Sequence, residues 1–436
     1  MKTNKIIIAL LLIGSLVNAQ NISINNDLKT LINQSFSYFP KMKELQQQVT
    51  TSTYREEGMK SGYLPTVSAN MGYTYVAPIS QVLFPTGPGQ YSTLYFQPNN
   101  NFTSSLSLNQ TLYDFGKVKA NVEKAKDDIK ISNANIEVNK ALLAAQVATI
   151  YYSIIYIKKA INVQDSLLFT LGQSKKLIDS RVKNGDALEL DALTVKNNID
   201  NADNRKADLQ NMLDKQINLL YYTVGQTKLN TNAQTNFDFN VGSTLADSAT
   251  ATAQKLNPDV ILTKLRIDQA KHDIGVNKAS ALPVLSLNGA IGYKNGYQPD
   301  IFQVRFNYLV GVNLSVPLYQ GGRYLKQTKV AESTLLQSQF SLESTNNTLR
   351  RDIAQALDDI KLNEEKVKNT TSMVQQAELA LKIAKSRYTN GTIIYVELFT
   401  AQNNLQSAQL SKLQYEYQLC LAKIELTRLT GATYWM

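Results

Sequence analysis

Two carboxylates pose the first chemical question in this chain. Asp191 and Glu397 each stand six residues beyond the Gly of an Asn-Gly pair, Asn184-Gly185 and Asn390-Gly391, and an Arg (Arg181, Arg387) precedes each pair. The two arrangements are 206 residues apart. A carboxylate so placed can favour the start of a helix, whose first turn carries partial positive charge. It has no neighbour with which to do covalent or acid–base chemistry. The chain holds one His, His272, and one Cys, Cys420, which removes most metal-site and triad arrangements. An enzyme is disfavoured, and no catalytic residue, cofactor or metal is expected.

The elements that position these residues are helical. A helical pattern runs up to each Arg, breaks at Asn-Gly, and resumes in a new apolar run. Asn-Gly is a turn signal because both residues tolerate positive φ, Gly without a Cβ clash. Residues 181–196 and 387–402 therefore read as the tips of two helical hairpins. In the second, Ile353, Ile360, Val367, Val374, Leu381 and Tyr388 recur every seventh residue. A sustained heptad means helices lying side by side as in a coiled coil. Pro is absent between Asn99 and Asn257 and after Pro317, and Gly is absent between Arg323 and Asn390, so long uninterrupted helices are expected. About 65 residues of helix would measure roughly 100 Å.

Ahead of each long helix the period changes to two. Residues 66–75 alternate Val67, Ala69, Met71, Tyr73 and Tyr75 with Thr66, Ser68, Asn70, Gly72 and Thr74, and residues 102–112 behave alike. Leu285, Leu287, Ile291 and Tyr293, then Val310, Val312, Leu314, Val316 and Leu318, repeat the pattern. These are strands with one apolar and one small polar face, about ten residues each, the length a tilted strand needs to cross a bilayer. A pair of hairpins on a soluble core is the alternative. Residues 76–101, with Pro78, Pro85, Pro88 and Pro98, read as a long loop. Its Tyr91, Tyr95 and Phe96 either narrow an outer mouth or pack the loop on its neighbours.

The whole chain divides into two copies of one plan. Leu112-Tyr113-Asp114-Phe115-Gly116-Lys117 matches Leu318-Tyr319-Gln320-Gly321-Gly322-Arg323, and Gly225 matches Gly431, at the same offset of 206, while Pro40 and Pro258 differ by 218. The expected organisation is a signal peptide over 1–19, a first repeat over 20–225 (strand hairpin 64–113, tip near 185), a linker over 226–244, and a second repeat over 245–436 (strand hairpin 283–319, tip near 391). Lys2 and Lys5, the apolar run 6–17 and the small residues before Gln20 carry the signal-peptide reading. Without Lys2 and Lys5 the net charge falls from +10 to +8, spread without a basic run, which does not suit nucleic acid. No stretch is a convincing membrane helix: the best candidate, residues 141–157, contains Gln146, Thr149 and Ser153 and falls slightly short, and the charge-rich counterpart 347–363 makes a membrane-spanning role the less economical reading.

Four strands cannot close a barrel, and an open edge in lipid leaves backbone groups unsatisfied at several kcal/mol each. Closure must come from other chains. Three copies would give twelve strands and a channel, whereas eight would leave an interior filled by side chains. The fold class expected is α+β: a transmembrane β-barrel continued by an α-helical coiled-coil tunnel, with internal duplication.

Taken together and twice over, these motifs resemble the TolC-like outer membrane efflux ducts across essentially the whole mature length. The resemblance implies a homotrimeric channel in the outer membrane of a Gram-negative bacterium, in contact with outer membrane lipid, as the exit duct of a tripartite efflux or type I secretion system. It implies as partners a periplasmic adaptor and an inner-membrane pump of RND or ABC type, and no nucleic acid. It also implies that the tips close the tunnel, with Asp191, Tyr388 and Glu397 at the positions of the polar latch and acidic ring, and that Asn184, Gly185, Asn390 and Gly391 meet the adaptor. Six carboxylates around a threefold axis would favour cations. Ile393 and Thr400 depart from the Arg and the second ring Asp that the family often carries there. For Asp191 and Glu397 a helix-start role, and for Tyr388 a core role, stay open. A periplasmic adaptor-like coiled coil and a passive porin are the rival functions.

Overall fold

The computed structural model describes residues 26–225, 236–240 and 246–436. The expected signal peptide and most of the 226–244 linker lie outside the described residues. The described residues divide into two compact units, one drawn from 26–44, 135–225, 236–240, 246–261 and 344–436, the other from 45–134 and 262–343.

The second unit holds the sheet. Strands β1 (Thr66–Tyr75), β4 (Asn100–Tyr113), β5 (Val284–Lys294) and β6 (Arg305–Ser315) form an antiparallel sheet in the order β1-β4-β5-β6. The period-two pattern falls into register: Asn70 faces Ser105, Asn109 faces Asn288 and Ser286 faces Asn313 on one side. On that side Asn109 Nδ2 donates to Asn288 Oδ1 at 2.9 Å. The other side carries Val67, Met71, Tyr73, Ile291, Tyr308, Val310 and Val312, all exposed within the single chain. Gly292 is needed where β4 and β5 approach, because a Cβ there would collide with the backbone of Ser104 and Ser105.

Residues 76–101 differ from the expected loop. They contain a two-stranded ribbon of β2 (Gln81–Gly87) and β3 (Gln90–Tyr95). Pro85 is accommodated because the ribbon has no third strand to serve and its register shifts between Pro85 and Gly87. Tyr91 is 70% exposed and Phe96 59%, so these rings do not pack the segment onto a core.

Asp114 caps the strand exit. Its carboxylate accepts from the amides of Gly116 (3.0 Å) and Val118 (2.5 Å), starting α3 (Lys117–Lys183). In the same unit, α3 is tied to α6 (Pro258–Ala279) by Lys124 to Asp273, by the pair His272 and Asp127, and by Gln269 to Asp128 at 2.5 Å. Asp127 is buried and also meets Lys130 at 2.9 Å, so its carboxylate has a cation on one side and a polar imidazole on the other. His272 is thus half of an interhelical pair. Ser52 on α2 (Pro40–Lys60) meets Ser132 on α3 at 3.0 Å.

The first unit is helical. It contains α1 (Asn26–Tyr38), most of α3, α4 (Glu189–Val224), α5 (Ala246–Leu256), most of α7 (Arg323–Thr389), and α8 (Tyr395–Thr430). Both α3 and α7 run for 67 residues, and both α4 and α8 for 36. Among the described residues one helix, α3, has a stretch long and apolar enough to cross a membrane. Ala144, Val147, Ala148, Tyr152, Ile155 and Ile157 of that stretch are buried, so it serves as core. Gly225 (φ 78°) and Gly431 (φ 74°) end α4 and α8, and a Cβ on Gly431 would lie 2.5 Å from the Leu256 carbonyl oxygen.

Candidate functional site at the helix tips

Each long helix ends in the same hydrogen-bond pattern. At the first tip Gly185 N donates to Val182 O (3.1 Å) and Asp186 N to Arg181 O (2.8 Å), with Gly185 at φ 81°. At the second, Gly391 N donates to Tyr388 O and Thr392 N to Arg387 O, both at 3.0 Å, with Gly391 at φ 73°. This paired closure, with a glycine in the left-handed region, satisfies helix-end carbonyls that would otherwise be orphaned. It explains why Asn-Gly follows each Arg by the same spacing. Asn184, Gly185, Asn390 and Gly391 are all exposed at the apex.

The return helices begin without a polar cap. Leu188 precedes α4 and Ile394 precedes α8, both in extended conformation and neither making a side-chain cap bond. Asp191 and Glu397 then occupy the third helical position of their helices, where the helix dipole favours negative charge. Asp191 is half-buried and Glu397 exposed.

Behind the turns lies a small core made by all four helices. Ile178, Val195, Tyr388, Tyr395 and Leu398 are buried together, with Val182, Ile199, Ala384 and Phe399 packed around them. Tyr388 is 4% exposed and Tyr395 1%. Their rings meet edge to face, centroids 6.3 Å apart. Burial pushes the Tyr395 hydroxyl up to about 12, with the charge of Asp191 adding to the rise and Asn198 opposing it. Tyr388 is raised by the same burial, against the opposing charge of Arg181, and Asp191 again adds. The chain itself thus brings Asp191, Arg181 and the two tyrosines to one cluster.

Arg181 ties the two tips together. Its Nη2 donates to Tyr388 O and Thr389 O, both at 2.9 Å, and its guanidinium lies 4.8 Å from the centroid of the Tyr388 ring. A cation on the last carbonyls of α7 suits the negative end of that helix. Arg387, its counterpart at the second tip, is exposed and in no ion pair among the described residues. Further from the apex, buried amides join α3 to the return helices: Gln406 Nε2 donates to Gln164 Oε1 (2.6 Å), Gln164 Nε2 to Ala202 O (2.9 Å) and Gln402 Nε2 to Ser174 Oγ (3.2 Å).

The sequence reading missed the apolar residues of the apex. Leu188 is 67% exposed and Ile394 65%, and two residues on Leu190 and Val396 are 66% and 54%. Each pair sits at the 206-residue offset. The available signal was a large apolar residue at a helix-capping position, where Ser, Thr, Asp or Asn is favoured.

The family described as "Outer membrane efflux protein" matches residues 31–226 and 250–432. Outer membrane protein OprJ of Pseudomonas aeruginosa is 25% identical over 327 residues, 73% of this chain and 67% of that protein. Outer membrane protein TolC of Escherichia coli (strain K12) is 24% identical over 356 residues, 73% and 68% of the two chains. Among solved structures, CusC superposes with a TM-score of 0.79 at 18% identity, over 94% of this chain and 93% of that one. The outer membrane protein VceC of Vibrio cholerae gives 0.73 at 18%, over 93% and 96%.

Proposed function

Because the chain belongs to the outer membrane efflux protein family, and so is an outer membrane efflux channel, we propose that three copies close one twelve-stranded barrel, continued by a helical tunnel whose inner end is formed by the six tips. The observation that carries the assembly is the four-stranded sheet with β1 and β6 as free edges and an apolar face left exposed. Such edges are tolerable in lipid only when paired. The repeated element order of the two halves supports an internal duplication, with the tips as its quasi-equivalent ends.

At the tips, Asp191 and Glu397 supply an acidic ring, and Tyr388 holds the hairpins in the closed arrangement from within the core. The adaptor docks on the apex, over Asn184, Gly185, Asn390 and Gly391 and the apolar pairs beside them. An RND- or ABC-type pump supplies the cargo and the work. A relative named Alkaline protease secretion protein AprF and another named Cation efflux system protein CusC show that the family's names span secretion and ion efflux. The chain is not read as an enzyme.

The test is made on purified protein. It should migrate as a heat-modifiable trimer from the outer membrane fraction and form cation-preferring pores in a planar bilayer. Asp191→Ala with Glu397→Ala should lower that preference. Monomeric migration would sink the assembly, and unchanged selectivity in the double variant would sink the acidic ring.

A further inference from the structure

We infer that Lys294 and Arg305 form a polyanion-binding ring at the outer mouth of the pore, an assignment that rests on the closed trimer proposed above. The observation is one of register. The small polar face of the sheet can be followed in rows across all four strands: Asn70, Ser105, Gly292 and Asn307 form one row, and Gly72, Thr103, Lys294 and Arg305 the next. That second row adjoins the loops, at the end of the sheet away from the junctions with α2, α3, α6 and α7. Lys294 and Arg305 are the charged residues of the four strands; from Ser61 to Tyr113, and through the rest of β5 and β6, there is no Asp, Glu, Lys or Arg.

They are also direct ladder partners. Like charges opposite each other on one face repel and weaken the pairing, so the arrangement does not serve the stability of the sheet. Neither residue forms an ion pair among the described residues. The nearest acid along the chain, Asp300 in the intervening turn, accepts from the Phe302 amide at 3.0 Å through Oδ1. Arg305 is aimed: its Nε donates to Gln303 Oε1 (3.1 Å) and its Nη1 to the Gln298 carbonyl (3.3 Å), which leaves Nη2 uncommitted. Beyond Lys294 the row continues through Thr103 and Gly72, which are small and uncharged.

With the polar face inward, three copies present six cations around one opening and no carboxylate in the same row. A ligand with several negative charges can engage several of them at once, where a simple anion engages one. Phosphate oxygens match the guanidinium fork, so the ligand class is a soluble polyphosphate or polyphosphorylated cargo. Lipid headgroups meet the opposite, apolar face, with Tyr293, Phe306 and Tyr308.

The full-length trimer, inserted in a bilayer of zwitterionic phosphatidylcholine, is exposed to inorganic tripolyphosphate on one side at a time. Added at the loop side it should block the current reversibly, and the block should weaken with salt. The Lys294→Gln, Arg305→Gln double variant should need at least about tenfold more tripolyphosphate for the same block, from the loss of up to six charges, and its cation preference should rise. Lys294→Arg with Arg305→Lys should keep the block. Equal block of the wild type and the double Gln variant overturns the ring while leaving the channel intact, and so does block that requires anionic lipid. Absence of any trimeric pore overturns the channel reading and the ring with it.

Discussion

Removal of the Arg181 guanidinium should loosen the second tip far more than removal of its counterpart. Arg181 makes two charge-assisted hydrogen bonds at 2.9 Å to the last carbonyls of α7 and lies over the Tyr388 ring. Hydrogen bonds to charged groups contribute about 1.5–3 kcal/mol each when well protected, and a cation that keeps part of its hydration over a ring about 0.5–1 kcal/mol. Arg181 is half-buried and Thr389 exposed, so water can replace part of what is lost. A net cost of about 2–3 kcal/mol for Arg181→Ala follows, or roughly a 30- to 140-fold rise in local opening, since about 1.4 kcal/mol is tenfold. Hydrogen exchange of peptides spanning 384–395, in the intact protein, reads this at the Gly391 and Thr392 amides that close the turn. Arg181→Lys keeps the charge but loses the fork and should fall between. Arg387→Ala, which removes no ion pair seen among the described residues, should change protection by no more than about twofold. Equal effects of the two Ala variants, or none from Arg181→Ala, would refute the clasp.

Three further outcomes are expected. Leu188→Ser and Ile394→Ser each supply the missing helix cap and should add roughly 1 kcal/mol of stability, while removing apolar apex surface; adaptor binding measured by pull-down should fall as the melting temperature rises, and retained binding would argue against apolar docking. The buried Tyr395 hydroxyl is raised to about 12, above the ordinary phenol near 10. Its neutral form therefore contributes fully below about pH 10, and that contribution is lost as pH climbs through about 12. Tip protection should fall across this window in the native chain and fall less in Tyr395→Phe, with Tyr388 leaving a remnant. Gly431→Ala forces a side chain into the left-handed region and onto the Leu256 backbone; thermal unfolding should show a loss of at least about 1 kcal/mol, and a neutral effect would show that the α8 end yields easily.

The parts of the fold written in local periodicity were open to inspection. Alternating Val67 to Tyr75 with Thr66 to Thr74 fixes which side of β1 is apolar, because strand geometry leaves no other choice. The ends of α3 and α7 fall beside the Asn-Gly pairs because positive φ is cheap there. The β2–β3 ribbon was not legible, since Pro78, Pro85, Pro88 and two glycines erase the strand signal, while the structure places Pro88 and Gly89 in the two-residue reversal and Pro85 in a strand that pairs on one side only. At the tips, the two Arg residues look alike in sequence, yet one clasps Tyr388 and the other faces solvent; that difference arises only when four helices meet. The pairing of His272 with Asp127 joins residues 145 apart and has no local signature.

The buried amides along α3 have a mechanical consequence. Gln164, Ser174, Gln402, Gln406 and the Ala202 carbonyl interlock at fixed heights along three helices. An axial slip by one turn, about 5.4 Å, would strip all three bonds, and each buried polar group left unmade costs roughly 1–3 kcal/mol. A purely apolar heptad seam offers no such toothing. The return helices are therefore keyed to α3 and sliding along it is penalised, so swinging or twisting of the keyed helices is the less costly motion at the apex.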